Sequence, residues 1–240
     1  MKIVAVIPAR LGSTRLPRKM LREIGGVPLI GRVYQAVRAS SMLADVVVAT
    51  DSEEIFEVCK RGGWNPQITA QTHRSGTERV HEVAQNVSAD VYINVQGDEP
   101  MARPEQIAVL AELMKNLEVQ VGTLKTRAAA ADIDNPNAVK VVTDKNGRAL
   151  YFSRTTIPHA RDGGGANRFK HLGFYAYRKS ALDQFVSLPE SSLERSERLE
   201  QLRFLENGIP IYVAETPFDS IGVDTEEDLR RVEEELRKRS

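Results

Sequence analysis

The run Ile3-Val4-Ala5-Val6-Ile7, stopped by Pro8, constrains the fold more than any other stretch of this chain. A short apolar run rich in β-branched residues reads as a strand buried on both faces, and a central strand of a parallel sheet is the usual place for one. Such a strand delivers the loop that follows it to the carboxyl edge of the sheet. Here that loop is Pro8-Ala9-Arg10-Leu11-Gly12-Ser13-Thr14-Arg15-Leu16-Pro17-Arg18-Lys19. Its small residues let backbone N–H groups approach an anion closely while Arg10, Arg15, Arg18 and Lys19 close round it. A polyphosphate is the natural ligand. Neither G-x-G-x-x-G nor G-x-x-x-x-G-K-[ST] follows the strand, so the loop is not a dinucleotide fingerprint or a P-loop. For the same reason Asp51 is a weak match to a ribose-binding acid.

Lys plus Arg and Asp plus Glu both number 33 in 240 residues, a formal charge of zero. No global field exists to hold nucleic acid or an anionic membrane, so any anion site is local. The single cysteine, Cys59, forms no intrachain disulfide and is expected in a buried helix. There is no secretory leader pattern and no run of about 20 apolar residues. A cytoplasmic protein is expected.

Strand and helix patterns alternate through the first half. Pro28 suits a first helical turn ahead of Leu29, Ile30, Val33, Ala36 and Val37, and Val46 to Ala49 follows as a strand. Asp51 with Glu54, and Ser75 with Glu78, resemble capping boxes. Val91 to Val95 is the next strand, then a helix through Ile107, Leu110 and Leu113. This alternation implies parallel strands. After Val121 the rhythm changes: Val139 to Thr143, Ala149 to Ser153 and Phe169 to Tyr177 read as strands, the first two joined by the turn Asp144-Lys145-Asn146-Gly147. The glycines between Arg161 and Asn167 predict a mobile loop, to which no role is assigned. A helix from Leu199 to Asn207 should stop at Gly208, and the last helix should start at Asp224 or Thr225. The expected organisation is one α/β domain, with a core of about 1–125 and 208–240 and a β-rich insertion of about 126–207.

Gln96-Gly97-Asp98-Glu99 follows the strand 91–95. Strand ends of an open α/β sheet share one crevice, so Asp98 should face the basic loop. A carboxylate opposite phosphates needs a cation between them, and Mg²⁺ takes one or two carboxylates plus phosphate oxygens and waters. Glu99 reads equally well as a turn residue. Asp224 is a second strand-end acid, or simply the N-cap of the last helix. His73-Arg74-Ser75-Gly76-Thr77-Glu78-Arg79 suits the edge of a pyrimidine or its ribose, or is an ordinary capped helix. His73 and His81 read as surface or packing residues.

PARLGSTRLPRK, HRSGTER, NVQGDEP, NPNAVKVV, YFSRTTIP, HLGFYAY, LERSERLEQLR and GVDTEEDL occur in this order over nearly the whole chain. Together they resemble the 3-deoxy-manno-octulosonate cytidylyltransferases, which activate the sugar acid Kdo for lipopolysaccharide synthesis. The resemblance implies a nucleotide-diphospho-sugar-transferase-like α/β fold, with a mostly parallel sheet and the β-rich insertion used for homodimerisation. It also implies CTP as co-substrate and Mg²⁺ as cofactor. Arg10, Ser13, Arg15 and Lys19 would hold the CTP phosphates, Ser75 and Arg79 would lie near the cytidine, and Asp98 and Asp224 would bind the metal. Lys19, Arg10, Asp98 and Asp224 would be catalytic. Gln96, Arg154, His171, Tyr175, Glu200 and Gln201 would line the sugar-acid pocket, with Arg154 as mate of the carboxylate. On pattern alone Glu200 and Gln201 would be the polar face of an amphipathic helix. Arg18 and Met20 stand where many relatives carry smaller or turn-forming residues.

The expected reaction joins CMP from CTP to the anomeric hydroxyl of Kdo and releases pyrophosphate. Rival readings are a cytidylyltransferase for 8-amino-Kdo or another sugar acid, a nucleotide-binding module without turnover, and, third, a nicotinamide dehydrogenase.

Overall fold

The computed structural model describes residues 1–13, 15–161 and 167–239. Thr14 and most of the glycine-rich loop expected at 161–167 lie outside them. The chain forms two compact units, Met1–Ala108 with Ser220–Ser240, and Val109–Asp219.

The first unit opens with β1 (Ile3–Ala9), β2 (Glu23–Ile24), β3 (Val27–Pro28), α1 (Leu29–Arg38) and β4 (Asp45–Thr50). It continues with α2 (Glu53–Arg61), β5 (Pro66–Ile68), α3 (Gly76–Asn86), β6 (Val91–Asn94) and the start of α4 (Pro104–Leu113). Every residue of β1 is buried. The strand pairs in parallel with β4, from Val4 opposite Asp45 to Ala9 opposite Thr50, and with β6, from Ile3 opposite Val91 to Val6 opposite Asn94. β5 extends the parallel set beyond β4. The apolar run that opens the sequence is therefore an interior strand, as its composition requires. Helix starts follow their caps: the Ser75 hydroxyl accepts from Glu78 N–H at 3.2 Å, as expected. For α2 the cap falls on Ser52, whose hydroxyl accepts from Ile55 N–H at 3.4 Å, rather than on Asp51. Asp51 is used elsewhere.

The second unit contains β7 (Val121–Arg127), α5 (Ala130–Ile133), β8 (Lys140–Thr143), β9 (Ala149–Ser153), β10 (Phe169–Tyr177), α6 (Lys179–Ser187), α7 (Ser192–Glu197), α8 (Leu202–Glu206) and β11 (Ile211–Glu215). β7 runs parallel to β11 and antiparallel to β10, while β10 pairs with β8, and β8 with β9, in antiparallel fashion. In the β8–β9 turn, Asp144 Oδ1 accepts from the Asn146 and Arg148 amides and Gly147 takes a φ of 79°. The helix expected over 199–207 is shorter: Arg198 adopts a left-handed φ of 55° that separates α7 from α8, and Gly208 (φ 71°) follows the end. β7 and β11 escaped the sequence reading. Lys125 and two threonines interrupt the apolar pattern of β7, yet all three are buried, with Lys125 Nζ donating to Thr143 Oγ1 at 2.9 Å and lying 4.2 Å from the Phe169 ring centroid. The chain then returns to the first unit in α9 (Glu226–Arg239).

Candidate active site

At the carboxyl ends of β1 and β6 the first unit holds a cavity of about 710 Å³. Arg10, Ser13, Arg15 and Lys19 of the basic loop line it. Arg18 does not; it takes a left-handed φ of 55° before the 3-10 turn Lys19–Leu21 and pairs with Glu54. The expectation that all four cations surround one anion is thus corrected for Arg18, whose backbone supplies the turn that aims Lys19 inward.

Lys19 is 7% exposed. Its Nζ donates to Asp98 Oδ2 at 2.7 Å and to Asp224 Oδ1 at 2.9 Å, and Arg15 Nη2 reaches Asp224 Oδ2 at 2.9 Å. Burial alone would lower the Lys19 pKa, but attraction to Asp98 and the hydrogen bonds to both carboxylates prevail and raise it. Asp98 and Asp224, 126 positions apart in sequence, converge for a backbone reason. Val223 N–H donates to the Asp98 carbonyl at 2.8 Å, and Ser220 Oγ donates to Glu99, which is thus more than a turn residue. Asp224 is not the cap of α9: Thr225 Oγ1 accepts from Asp228 N–H at 3.2 Å while Asp228 accepts from Thr225 N–H at 2.9 Å. With the cap supplied by its neighbour, the Asp224 carboxylate turns to Lys19.

The site depends on close packing of its backbone. A Cβ on Gly97 would stand 2.7 Å from the Pro8 carbonyl and 2.9 Å from Met20 Sδ. Gln96 lines the cavity and donates from Nε2 to Asn94 Oδ1 at 3.1 Å. Ser75 and Arg79, with His73 and Arg74, line the same cavity. Arg79 is 4% exposed; it donates to Asp51 Oδ2 at 2.7 Å and to Thr69 Oγ1. Asp51 is therefore the partner of a cavity-lining arginine. His73 also lines the cavity, its ring packed against Glu82 as a packing residue would be. The clue in the sequence was its place two residues before the cap of α3.

Among the described residues no group of three or more His, Cys, Asp and Glu gathers as a ready-made metal cage. Two carboxylates held at one cation, beside arginines suited to phosphate, do fit Mg²⁺, which leaves its remaining positions to phosphate oxygens and water.

Arg154, His171, Tyr175, Glu200 and Gln201 belong to the second unit. Arg154 donates from Nε to the Glu197 carbonyl at 2.7 Å, from Nη1 to the Pro136 carbonyl at 3.0 Å and from Nη2 to the Arg198 carbonyl at 3.3 Å. Since a guanidinium has five N–H groups, one remains on each terminal nitrogen, a pair suited to a carboxylate. Burial lowers the His171 pKa to about 3, so the ring is neutral. Thr123 Oγ1 donates to the Phe174 carbonyl at 2.7 Å and so accepts from His171 Nε2 at 2.9 Å. This leaves Nδ1 as an acceptor. Tyr175 packs on His171 at 5.3 Å between ring centroids, and burial, with Tyr177 and Glu200 nearby, raises its pKa well above the usual value. Gln201 is 4% exposed with Nε2 unbonded, a correction to its reading as part of a solvated helix face.

Residues 4–215 match the cytidylyltransferase family. The 3-deoxy-manno-octulosonate cytidylyltransferase of Koribacter versatilis is 68% identical over the whole chain and 92% of its own length. That of Acidobacterium capsulatum is 55% identical over the whole chain and 98% of its length. A solved CMP:2-keto-3-deoxy-manno-octonic acid synthetase complexed with CTP matches with a TM-score of 0.96 and 41% identity, covering both chains fully. A cytidylyltransferase structure from Leptospira borgpetersenii, at 17% identity and a TM-score of 0.66 over 99% of this chain and 87% of its own, shares the fold. A nucleotidyltransferase site and relatives this similar over the full length lead to one conclusion: the chain belongs to the cytidylyltransferase family, in its 3-deoxy-manno-octulosonate branch.

Proposed function

We propose that the chain transfers CMP from CTP to the anomeric hydroxyl of Kdo, giving CMP-Kdo and pyrophosphate. The observation that carries this reading is the convergence of Asp98 and Asp224 on Lys19 at the floor of an arginine-lined cavity. The hydroxyl oxygen bonds to the α-phosphorus, the bond to the β-phosphate breaks, pyrophosphate leaves, and the hydroxyl proton passes to solvent. Arg10, Ser13 and Arg15 hold the phosphates in line. Arg10 and Lys19 offset the charge that builds on pyrophosphate. Asp98 and Asp224 are the residues that would hold Mg²⁺, which when bound polarises the α-phosphate and lowers the pKa of the attacking hydroxyl. Direct displacement fits the side chains present: Cys59 is fully buried with its thiol pushed up to about 12, and the Ser75 hydroxyl is occupied as a helix cap. Ser75 and Arg79 are assigned to the cytidine.

The residues assigned to the sugar acid, by the resemblance of their motifs, are Gln96, Arg154, His171, Tyr175, Glu200 and Gln201. Homodimerisation through the β-rich segment is part of the same proposal, supported by Leu150 standing 63% exposed on β9, and sedimentation tests it. The experiment for the reaction is pyrophosphate release with CTP and Mg²⁺, with Kdo present or absent and 8-amino-Kdo in parallel. Release that requires Kdo is the expected result. CTP binding without release in either arm would overturn it.

A further inference from the structure

Lys140 is completely buried, a rare state for a lysine, and nothing in the reaction uses it. It lies in β8 opposite Ser153, the last residue of β9. Arg154 is thus the first residue beyond the strand, where the sheet ladder no longer supplies partners for its backbone. Charged side chains take over both groups. Glu197 Oε2 accepts from Arg154 N–H at 2.9 Å, and Lys140 Nζ donates to the Arg154 carbonyl at 2.7 Å. The same ammonium donates to the Asn135 carbonyl at 2.8 Å, and the next carbonyl along, that of Pro136, receives Arg154 Nη1. Ser153 Oγ completes the arrangement by donating to Glu197 Oε1 at 2.6 Å.

We propose that Lys140 is a positioning residue for Arg154, clamping its carbonyl and the Asn135 turn together so that the guanidinium presents its two unspent N–H groups at a fixed angle to a sugar-acid carboxylate. The role rests on the assignment of Arg154 to the sugar acid given above. An ammonium fits the task because it can serve two carbonyls at once with bonds stronger than neutral ones. An apolar side chain of the same length would fill the space and leave the arginine to drift. A 1 Å displacement of a bidentate donor pair is costly to recognition and leaves the nucleotide cavity of the first unit untouched.

The test is steady-state kinetics of Lys140→Met, Arg154→Met and the double variant, varying Kdo and CTP separately. Lys140→Met should raise the KM for Kdo by roughly 10- to 100-fold, the worth of a charged hydrogen bond, with the KM for CTP within about twofold. In the double variant the Lys140 substitution should add almost nothing to Arg154→Met, because it acts through that residue. A general packing role predicts additive losses and a change in both KM values, and either result overturns the proposal. If Lys140→Met does not fold, Glu197→Gln loosens the other side of the same backbone and must show the same selective rise in the KM for Kdo; an unchanged value overturns the clamp. Wild-type protein without Kdo-dependent turnover would overturn the functional reading and this role with it, whereas normal turnover with an unaltered KM in the variants would overturn only the role of Lys140.

Discussion

The ammonium of Lys19 lies 2.7 Å from Asp98 Oδ2 in a setting where the lysine side chain is 8% exposed and the carboxylate 30%. The same ammonium reaches Asp224, so a single buried cation fixes two acids brought from distant parts of the chain. Removing either kind of partner has different consequences.

Asp98→Asn keeps the shape of the side chain and a hydrogen-bond acceptor for Lys19, but removes the charge a metal needs. Folding should be nearly unchanged by thermal unfolding, and pyrophosphate release should fall about 100-fold or more. Near-normal turnover would refute the metal role of Asp98.

Lys19→Met should lower both turnover and stability, and the stability part has a defined pH dependence. Because the folded-state pKa of Lys19 is raised, its contribution is complete below the ordinary lysine value of 10.5 and disappears as pH rises through the folded value. The difference in Tm between wild type and Lys19→Met should therefore be constant from pH 7 to 9 and shrink above 10.5. A difference that persists at still higher pH would refute the ion-pair account.

His171 supplies the opposite window. Its pKa falls from 6.5 unfolded to about 3 folded, so the folded state resists protonation. Stability is intact above 6.5 and declines as pH drops toward 3. His171→Gln should unfold with a flatter pH profile across that interval, read by denaturant titration at several pH values. Parallel profiles would mean that the ring is not held neutral.

Gly97→Ala places a methyl group against the Pro8 carbonyl, a backbone atom that cannot swing aside. The strand ends must separate, at a cost of about 1–3 kcal/mol. Because Asp98 is the next residue, kcat should fall further than the loss of folded protein explains. Unchanged kcat in the folded fraction would show that Asp98 tolerates the shift.

The sequence carried the local elements well. β9 and β10 run from Ala149 to Ser153 and from Phe169 to Tyr177, as their aromatic residues indicate, and Ser75 caps α3 three residues before Glu78. These features depend on neighbours within a few residues, which composition and spacing report. β7 was invisible for the converse reason: Lys125 is buried with its ammonium received by Thr143 and Phe169, and Thr123 with its hydroxyl on the Phe174 carbonyl, all of them partners distant in sequence. The loop from Arg10 to Lys19 was legible as an anion site, yet the departure of Arg18 to Glu54 was not, because it follows from a left-handed turn and a partner on another helix.

By itself the sequence determined the buried first strand, the cationic loop at its end, the Ser75 cap of α3 and the family. Only the tertiary structure decided that Asp224 joins Asp98 on Lys19 while Thr225 caps the last helix, that Arg79 is held by Asp51, and that a buried lysine grips the backbone of Arg154. The division has a physical cause. Hydrophobic periodicity and caps are short-range properties written along the chain, whereas the partner of a buried charge is chosen by whichever groups the folded backbone brings within hydrogen-bond distance, and these lie up to 205 residues away.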